Sequence, residues 1–156
     1  MATLTPLILS ATAESLTTED WEKFLTIWDK LNSETELSRE AVTAIAKRLS
    51  NRSAQVQLLT LSLADSLVAN CSAPFHVEAN GKLFLSVLQR TIADRNTHAT
   101  VAKRIYALVL EWAKDHKDDE IWDPSVSRSA HRNYAHRILY TTASSNSPLL
   151  SDDNVS

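Results

Sequence analysis

The side chains of this sequence that could do chemistry are its five histidines, its single cysteine and its serines and acids. His131 and His136 are five positions apart, a spacing that matches neither the HExxH zinc motif nor a Cys/His zinc pattern. His76 and Glu78 are two positions apart, and on a helix this spacing directs them to different faces. We therefore interpret the histidines as packed or surface residues and expect neither a metal site nor a cofactor.

The potential nucleophiles of the chain, Cys71 and the serines, lie in no sequence pattern that is typical of an enzyme. Cys71 has no neighbour in the sequence that would activate its thiol, and free cysteine commonly packs as a small apolar residue. The only glycine, Gly81, leaves no glycine-rich loop to hold phosphates, and no nucleophile-elbow motif surrounds a serine. One cysteine also excludes an internal disulfide framework, and the N-terminus lacks the pattern of a secretory signal. We expect a non-enzymatic, cytoplasmic protein.

Trp21 and Leu25 lie in an amphipathic segment, LTTEDWEKFLTIWDKL, but off its apolar stripe. The stripe consists of Phe24, Ile27, Trp28 and Leu31. Because successive helical residues are ~100° apart, Trp21 falls at the margin of this stripe and Leu25 lies further round, beside Glu22 and Asp29. Trp21 and Leu25 either cover an edge of the core or form an exposed apolar pair rimmed by charge, as in binding hot spots. Periodicity favours neither interpretation.

Three basic residues, Lys47, Arg48 and Arg52, cluster around a predicted helix junction. One interpretation is solvated charge that covers helix ends. The other is a weak site for acidic lipid headgroups, worth ~1 kcal/mol per basic residue near an anionic surface. The net charge of -3 provides no general attraction to nucleic acid, so we expect no nucleic-acid partner.

Helical periodicity runs through most of the chain, and no useful stretch alternates with a period of two. The segment 52–71 is apolar on most sides, which predicts a buried central helix, while its polar residues interrupt any membrane-spanning run. Thr17 and Asp20 have capping-box spacing, which predicts a helix that starts after Thr17. Beyond Asp118, RNYAHRILY predicts one more helix and SSNSPLLSDDNVS a flexible end. The sequence therefore predicts an all-α domain.

Several motifs then follow one another in a specific order: DWEKFL, NRSAQVQLLTLSLADSL, NC, FH, IADRNTH and EWA. Together they resemble a VHS domain, most closely the type in STAM adaptors and their fungal counterparts, which form part of ESCRT-0, the first endosomal sorting complex. The resemblance covers roughly Pro6 to Asp118. We therefore expect a VHS domain over residues 1–118 and a divergent tail over 119–156.

The resemblance implies a right-handed superhelix of about seven to eight helices, as in VHS and ENTH domains, that binds ubiquitin. In that family a Trp near the start of the second helix and a Leu four residues later contact ubiquitin, and the matching positions are Trp21 and Leu25. Glu22 and Asp29 would face the basic rim of the ubiquitin patch. The implied partners are ubiquitin and ubiquitinated membrane cargo, and the implied location is cytoplasmic and peripheral to the endosomal membrane.

Two alternatives come with the resemblance. Some VHS domains associate with phosphoinositide lipids, which would make Lys47, Arg48 and Arg52 part of a membrane-surface module, and a structural helical scaffold is the third possibility. STAM-type adaptors continue into a ubiquitin-interacting helix, an SH3 domain and a coiled coil, which do not fit in 156 residues. The chain is therefore a fragment, a shortened relative or the product of a misread gene end, and we do not expect it to join the ESCRT-0 partner subunit. The divergent tail gives no basis for dileucine-signal binding.

Overall fold

The computed structural model describes residues 4–116 and 124–145, with side chains of the last helix described over 127–138. These ranges contain eight α-helices, one 3-10 turn (Thr35–Leu37) and no strand. The helices are α1 Thr5–Ala11, α2 Trp21–Ser33, α3 Ser38–Leu49, α4 Ala54–Asn70, α5 Ala73–Ala79, α6 Lys82–Ala93, α7 Ala99–Asp115 and α8 Pro124–Ser145. The prediction of an all-α fold with seven to eight helices is confirmed.

The helices stack in two layers around one core. Helices α1, α3, α6 and α8 pack in that order in one layer, and α2, α4 and α7 pack in the other. Contacts of α3 with α4 and of α6 with α7 join the layers, and α5 fills the space beside α3, α4 and α6. Helix α2 lies at the N-terminal end of its layer, where it packs against α1, α4 and the 3-10 turn. This position leaves one side of α2 open to solvent.

Helix α4 is the central helix that the sequence predicts. Ten of its residues are buried: Val56, Gln57, Leu59, Thr60, Leu61, Leu63, Ala64, Ser66, Leu67 and Val68. Ser53 caps the helix, since its hydroxyl accepts a hydrogen bond from the Val56 N–H at 3.3 Å. None of the described helices is both long and apolar enough to cross a lipid bilayer.

The start of α2 differs from the predicted capping box. The helix begins at Trp21 and not just after Thr17, because the Asp20 carboxylate itself accepts a hydrogen bond from the Lys23 N–H at 3.3 Å. Asp20 is extended, with φ -98° and ψ 90°, which stops the helix from starting earlier. The capping-box prediction is therefore wrong, and Trp21 is the first residue of the helix.

Helix α8 is longer than the predicted nine-residue segment and covers α6 and α7. Ala130 of α8 is buried, and the Tyr134 ring of α8 stacks on the Tyr106 ring of α7 with centroids 4.6 Å apart. No glycine or proline follows Pro124 before the helix ends at Ser145, so nothing in the backbone chemistry interrupts it. The predicted flexible end lies almost entirely outside the described residues, and the boundary at residue 118 stays a prediction.

Candidate functional site

Two large apolar side chains on α2 face solvent. Trp21 is 57 % exposed and Leu25 is 47 % exposed, whereas Phe24, Ile27 and Leu31 are buried. Trp21 and Leu25 are four residues apart and so lie on the same side of the helix. The Trp21 ring also meets the Phe24 ring edge to face, with centroids 5.1 Å apart. Trp21 therefore touches the core through one edge while most of its surface remains available.

The N-terminus of α2 is fixed by charge. Besides capping the helix, Asp20 forms an ion pair with Lys23 at 3.2 Å. The hydrogen bond from Lys23 holds the pKa of the Asp20 carboxyl below its ordinary value. A carboxylate at this end of a helix also interacts favourably with the helix dipole. These contacts hold the backbone that carries Trp21.

Both ends of α2 are also tied to α4. The Ser62 hydroxyl donates a hydrogen bond to the Glu19 carboxylate at 2.8 Å, and this bond is the main cause that lowers the pKa of Glu19. At the other end, the Asn32 amide donates to the Asn70 carbonyl at 2.8 Å. Because its two ends are anchored, α2 presents Trp21 and Leu25 on a rigid surface.

Glu22 and Asp29 border this apolar pair. Both are exposed, and on the helix they lie on the same side as Leu25. Neither forms an ion pair with any residue in the described ranges, whereas Asp20 and Glu34 pair with lysines of the same helix. The surface is thus an apolar ridge with two uncompensated carboxylates on one flank.

The structure places the three basic residues in different environments. Lys47 and Arg52 are exposed. Arg48 instead turns toward α1, where its guanidinium donates to the Thr12 hydroxyl at 2.9 Å and to the Thr12 carbonyl at 2.8 Å. Thr12 is the C-cap of α1, so Arg48 ties α3 to the end of α1. Only Lys47 and Arg52 keep their charges fully available to solvent.

His76, His131 and Cys71 have packing contacts. His76 is buried and its Nε2 lies 2.8 Å from the Val68 carbonyl, while His131 Nδ1 lies 2.6 Å from the Tyr106 hydroxyl. No three metal-ligating side chains converge anywhere in the part of the chain that the structure describes. Burial raises the pKa of the Cys71 thiol to about 11, so the thiol is protonated at neutral pH.

A polar cleft between α6 and the loop that joins α3 to α4 is a feature that the sequence did not predict. It has a volume of about 560 Å³ and is lined in part by Arg52, Gln57, Arg90, Asp94 and Thr97. Arg52 and Arg90 are far apart in the sequence, and no motif contains both of them. Only the packing of α3 against α6 brings these segments together.

Comparison with known proteins identifies the family. The family model described as the VHS domain matches residues 1–133. The class E vacuolar protein-sorting machinery protein HSE1 of Mycosarcoma maydis is 43 % identical over 116 residues, which cover 74 % of this chain and 20 % of that protein. The hse1 protein of Emericella nidulans is 40 % identical over 107 residues, which cover 69 % of this chain and 18 % of that protein. The chain therefore spans about a fifth of the length of these relatives.

A solved structure has the same fold. The crystal structure of the VHS and FYVE tandem domains of Hrs, described as a protein involved in membrane trafficking and signal transduction, superposes with a TM-score of 0.73. The match covers 92 % of this chain and 62 % of that one at 21 % identity, which supports the fold alone. With the family model matching most of the chain and the helices arranged as in a solved member, the chain belongs to the VHS-domain family.

Proposed function

We propose that this chain is a non-enzymatic ubiquitin-binding module that acts in the endosomal sorting of ubiquitinated membrane cargo. The exposure of Trp21 and Leu25 on a helix whose two ends are anchored is the observation that carries the proposal. The assignment to endosomal sorting is supported by the relatives that are named as vacuolar protein-sorting machinery. The corresponding location is the cytoplasmic side of the endosomal membrane.

The α2 surface is complementary to the surface of ubiquitin, which presents an apolar patch with a basic rim. Trp21 and Leu25 supply an apolar ridge, and Glu22 and Asp29 supply uncompensated negative charge beside it. Tryptophan is among the residues that contribute most to binding when it becomes desolvated in an interface. The apolar pair would therefore provide most of the affinity and the carboxylates the orientation.

Binding through one helix face is expected to be weak. Such an interaction becomes effective through avidity, when several ubiquitin-binding modules and several ubiquitins meet at one membrane. A weak, exchangeable contact also suits a sorting step in which cargo must be passed on. We therefore expect the isolated chain to bind multivalent ubiquitin little more tightly than the monomer, and clustering of several chains on one membrane to raise the apparent affinity.

The phosphoinositide alternative, which rests on Lys47, Arg48 and Arg52, has less support. Arg48 uses its guanidinium to bind Thr12, so two exposed charges remain. At ~1 kcal/mol per basic residue, two charges give little membrane affinity without a further contact. A scaffold without a ligand would leave the exposure of Trp21 and Leu25 without a function.

Calorimetric titration with ubiquitin at two salt concentrations tests the proposal. Leu25→Ala should abolish measurable binding, whereas Leu110→Ala, which removes a 40 % exposed leucine on α7, should leave it unchanged. An apolar contact should keep its affinity within about threefold between ~0.1 and ~0.5 M salt, because screening weakens only the charged flank. An equal loss of affinity in Leu25→Ala and Leu110→Ala would contradict the proposal. The absence of any heat of binding with multivalent ubiquitin would also contradict it.

A further inference from the structure

The junction between α5 and α6 consists of Asn80 and Gly81, the only asparagine–glycine pair of the chain. Asn80 follows the last residue of α5, and Gly81 precedes the first residue of α6. Close packing favours the glycine, because a Cβ atom at this position would lie 3.0 Å from the Glu78 carbonyl oxygen. Packing therefore places a residue without a side chain directly after an asparagine.

An asparagine that precedes glycine is especially prone to spontaneous deamidation. The backbone nitrogen of Gly81 loses its proton and attacks the Asn80 Cγ atom. The new N–C bond closes a cyclic succinimide, while the Cγ–Nδ2 bond breaks and the amide nitrogen takes up a proton and leaves as ammonia. Water then adds to either ring carbonyl and opens the ring to aspartate or isoaspartate. Glycine favours the attack because no side chain hinders its nitrogen.

The folded structure blocks this ring closure in three ways. The Gly81 N–H donates to the Glu78 carbonyl at 3.0 Å, so loss of its proton would also cost a hydrogen bond. The Asn80 Nδ2 donates to the His76 carbonyl at 2.9 Å, which holds the side chain back along α5. The ψ angle of Asn80 is 8°, so the Gly81 nitrogen nearly eclipses the Asn80 nitrogen, whereas ring closure requires it to eclipse Asn80 Cβ. Deamidation therefore requires the end of α5 to open.

The last turn of α5 is less firmly held than the central helices. Helix α5 has only seven residues, and a helix this short depends on tertiary contacts. In its last turn only the small side chain of Ala79 is buried beyond His76. The ion pair of Glu78 with Arg39 spans 3.4 Å, and the arginine is 82 % exposed, so this pair adds little stability. The turn therefore opens by local unfolding at a lower free-energy cost than the core.

Deamidation would place a negative charge where the fold accepts a neutral amide. The Asn80 Oδ1 atom is buried and has no hydrogen-bond partner in the described ranges. A carboxylate here would be buried without a donor and would lack the hydrogen bond to the His76 carbonyl. It would also lie just beyond the C-terminus of α5, where the helix dipole disfavours negative charge. The modified junction should therefore be less stable and open more readily.

We propose that Asn80–Gly81 is a site of spontaneous deamidation whose rate is set by opening of the α5–α6 junction. The folded chain is protected, each opening exposes the pair to reaction, and the product weakens the junction irreversibly. The site thus limits the lifetime of the folded module. Neither residue belongs to α2, so this inference is independent of ubiquitin binding.

Peptide mapping by mass spectrometry, after incubation at mildly alkaline pH, tests the proposal. In concentrated urea, Asn80 should convert faster than any other asparagine of the chain, since every other asparagine precedes a residue that has a side chain. In buffer the rate at Asn80 should be at least about tenfold lower, because the reaction then waits for the junction to open. Asn51, which precedes Arg52, is the internal reference under both conditions.

The urea dependence of the rate distinguishes local from global opening. Below the unfolding transition, the rate at Asn80 should rise only slightly with urea, because a local opening exposes little surface. A rate that follows the fraction of globally unfolded chain would show that the junction does not open by itself.

Asn80→Asp reproduces one product of the reaction, and Asn51→Asp is its matched control. Asn80→Asp should lower the urea midpoint of unfolding because of its buried charge. Asn51 precedes α4, and its Oδ1 accepts from the Ser53 N–H at 2.8 Å. Aspartate keeps this acceptor at a helix N-terminus, where negative charge is favourable, so Asn51→Asp should not lower the midpoint.

Four results would each overturn the proposal. They are an Asn80 that stays unmodified in urea, equal rates at Asn80 in buffer and in urea, a rate that follows global unfolding, and equal urea midpoints for Asn80→Asp and Asn51→Asp.

Discussion

The Trp21 ring rests edge-on against Phe24, with ring centroids 5.1 Å apart, so a solvent-facing residue is seated directly on a core residue. Phe24 is fully buried, whereas Trp21 is 57 % exposed. The contact fixes the Trp21 ring without hiding it. A ring held in this way loses less conformational entropy when a partner covers it.

Trp21 and Leu25 should differ in their effect on stability. Trp21→Ala is expected to lower the free energy of unfolding by about 1 kcal/mol, because it removes an aromatic pair. Leu25→Ala should change it by no more than about 0.5 kcal/mol, as for an exposed residue. Urea denaturation measures both. A loss above about 2 kcal/mol for Leu25→Ala would show that Leu25 belongs to the core.

Arg48 and Lys47 are adjacent basic residues, and comparing their alanine variants tests whether Arg48 stabilises the fold while Lys47 is only a surface charge. Arg48→Ala should lower the free energy of unfolding by about 1.5–3 kcal/mol, because it removes the two hydrogen bonds that hold the end of α1. Lys47→Ala, the adjacent exposed residue, should change it by less than about 0.5 kcal/mol. Denaturant unfolding of both variants is the measurement, and equal effects would contradict the internal role of Arg48.

Glu19 should contribute pH-dependent stability. The Ser62 hydrogen bond lowers its pKa in the folded state, so the ionised form is favoured by folding. This contribution is present above the ordinary value of 4.5 and is lost as the pH falls through the lower, folded pKa. Carboxyl NMR titration should show the Glu19 pKa rising toward its ordinary value in Ser62→Ala. An unchanged pKa in that variant would assign the shift to another contact.

Cys71 should react slowly in the folded protein. Burial raises its pKa to about 11, so little of the reactive thiolate exists at neutral pH. Alkylation by iodoacetamide at pH 7 should be much slower than in denaturant, and its rate should rise as the pH approaches that pKa. Folded and unfolded rates that agree within about twofold at pH 7 would contradict this environment.

The burial of apolar residues that repeat at helical spacing was predictable from the sequence. The apolar residues that repeat at helical spacing along α6 and α7 are buried: Phe84, Val87, Leu88, Ile92, Val101, Ile105, Leu108 and Trp112. Periodicity succeeds here because burial of one face is what stabilises such helices. The same argument placed Trp21 and Leu25 off the core face, although it did not establish their exposure.

Features that depend on tertiary contact were not predictable. The α2 start depends on whether Thr17 or Asp20 caps the helix, and both side chains are chemically suitable. The length of α8 depends on its packing against α6 and α7, since its own residues form no strong apolar stripe. The cleft depends on the packing of α3 against α6, which brings Arg52 and Arg90 into one lining, and the sequence carries no signal for that packing.

The central claim is that ubiquitin binds the α2 surface, and chemical-shift mapping of the labelled chain with unlabelled ubiquitin tests it most directly. We predict saturable shifts clustered on Trp21, Glu22, Leu25 and Asp29, and their loss in a folded Trp21→Ala variant. Ubiquitin labelled in the reverse titration should shift at its apolar patch. Shifts confined to another face of the chain, or none at millimolar ubiquitin, would contradict the claim.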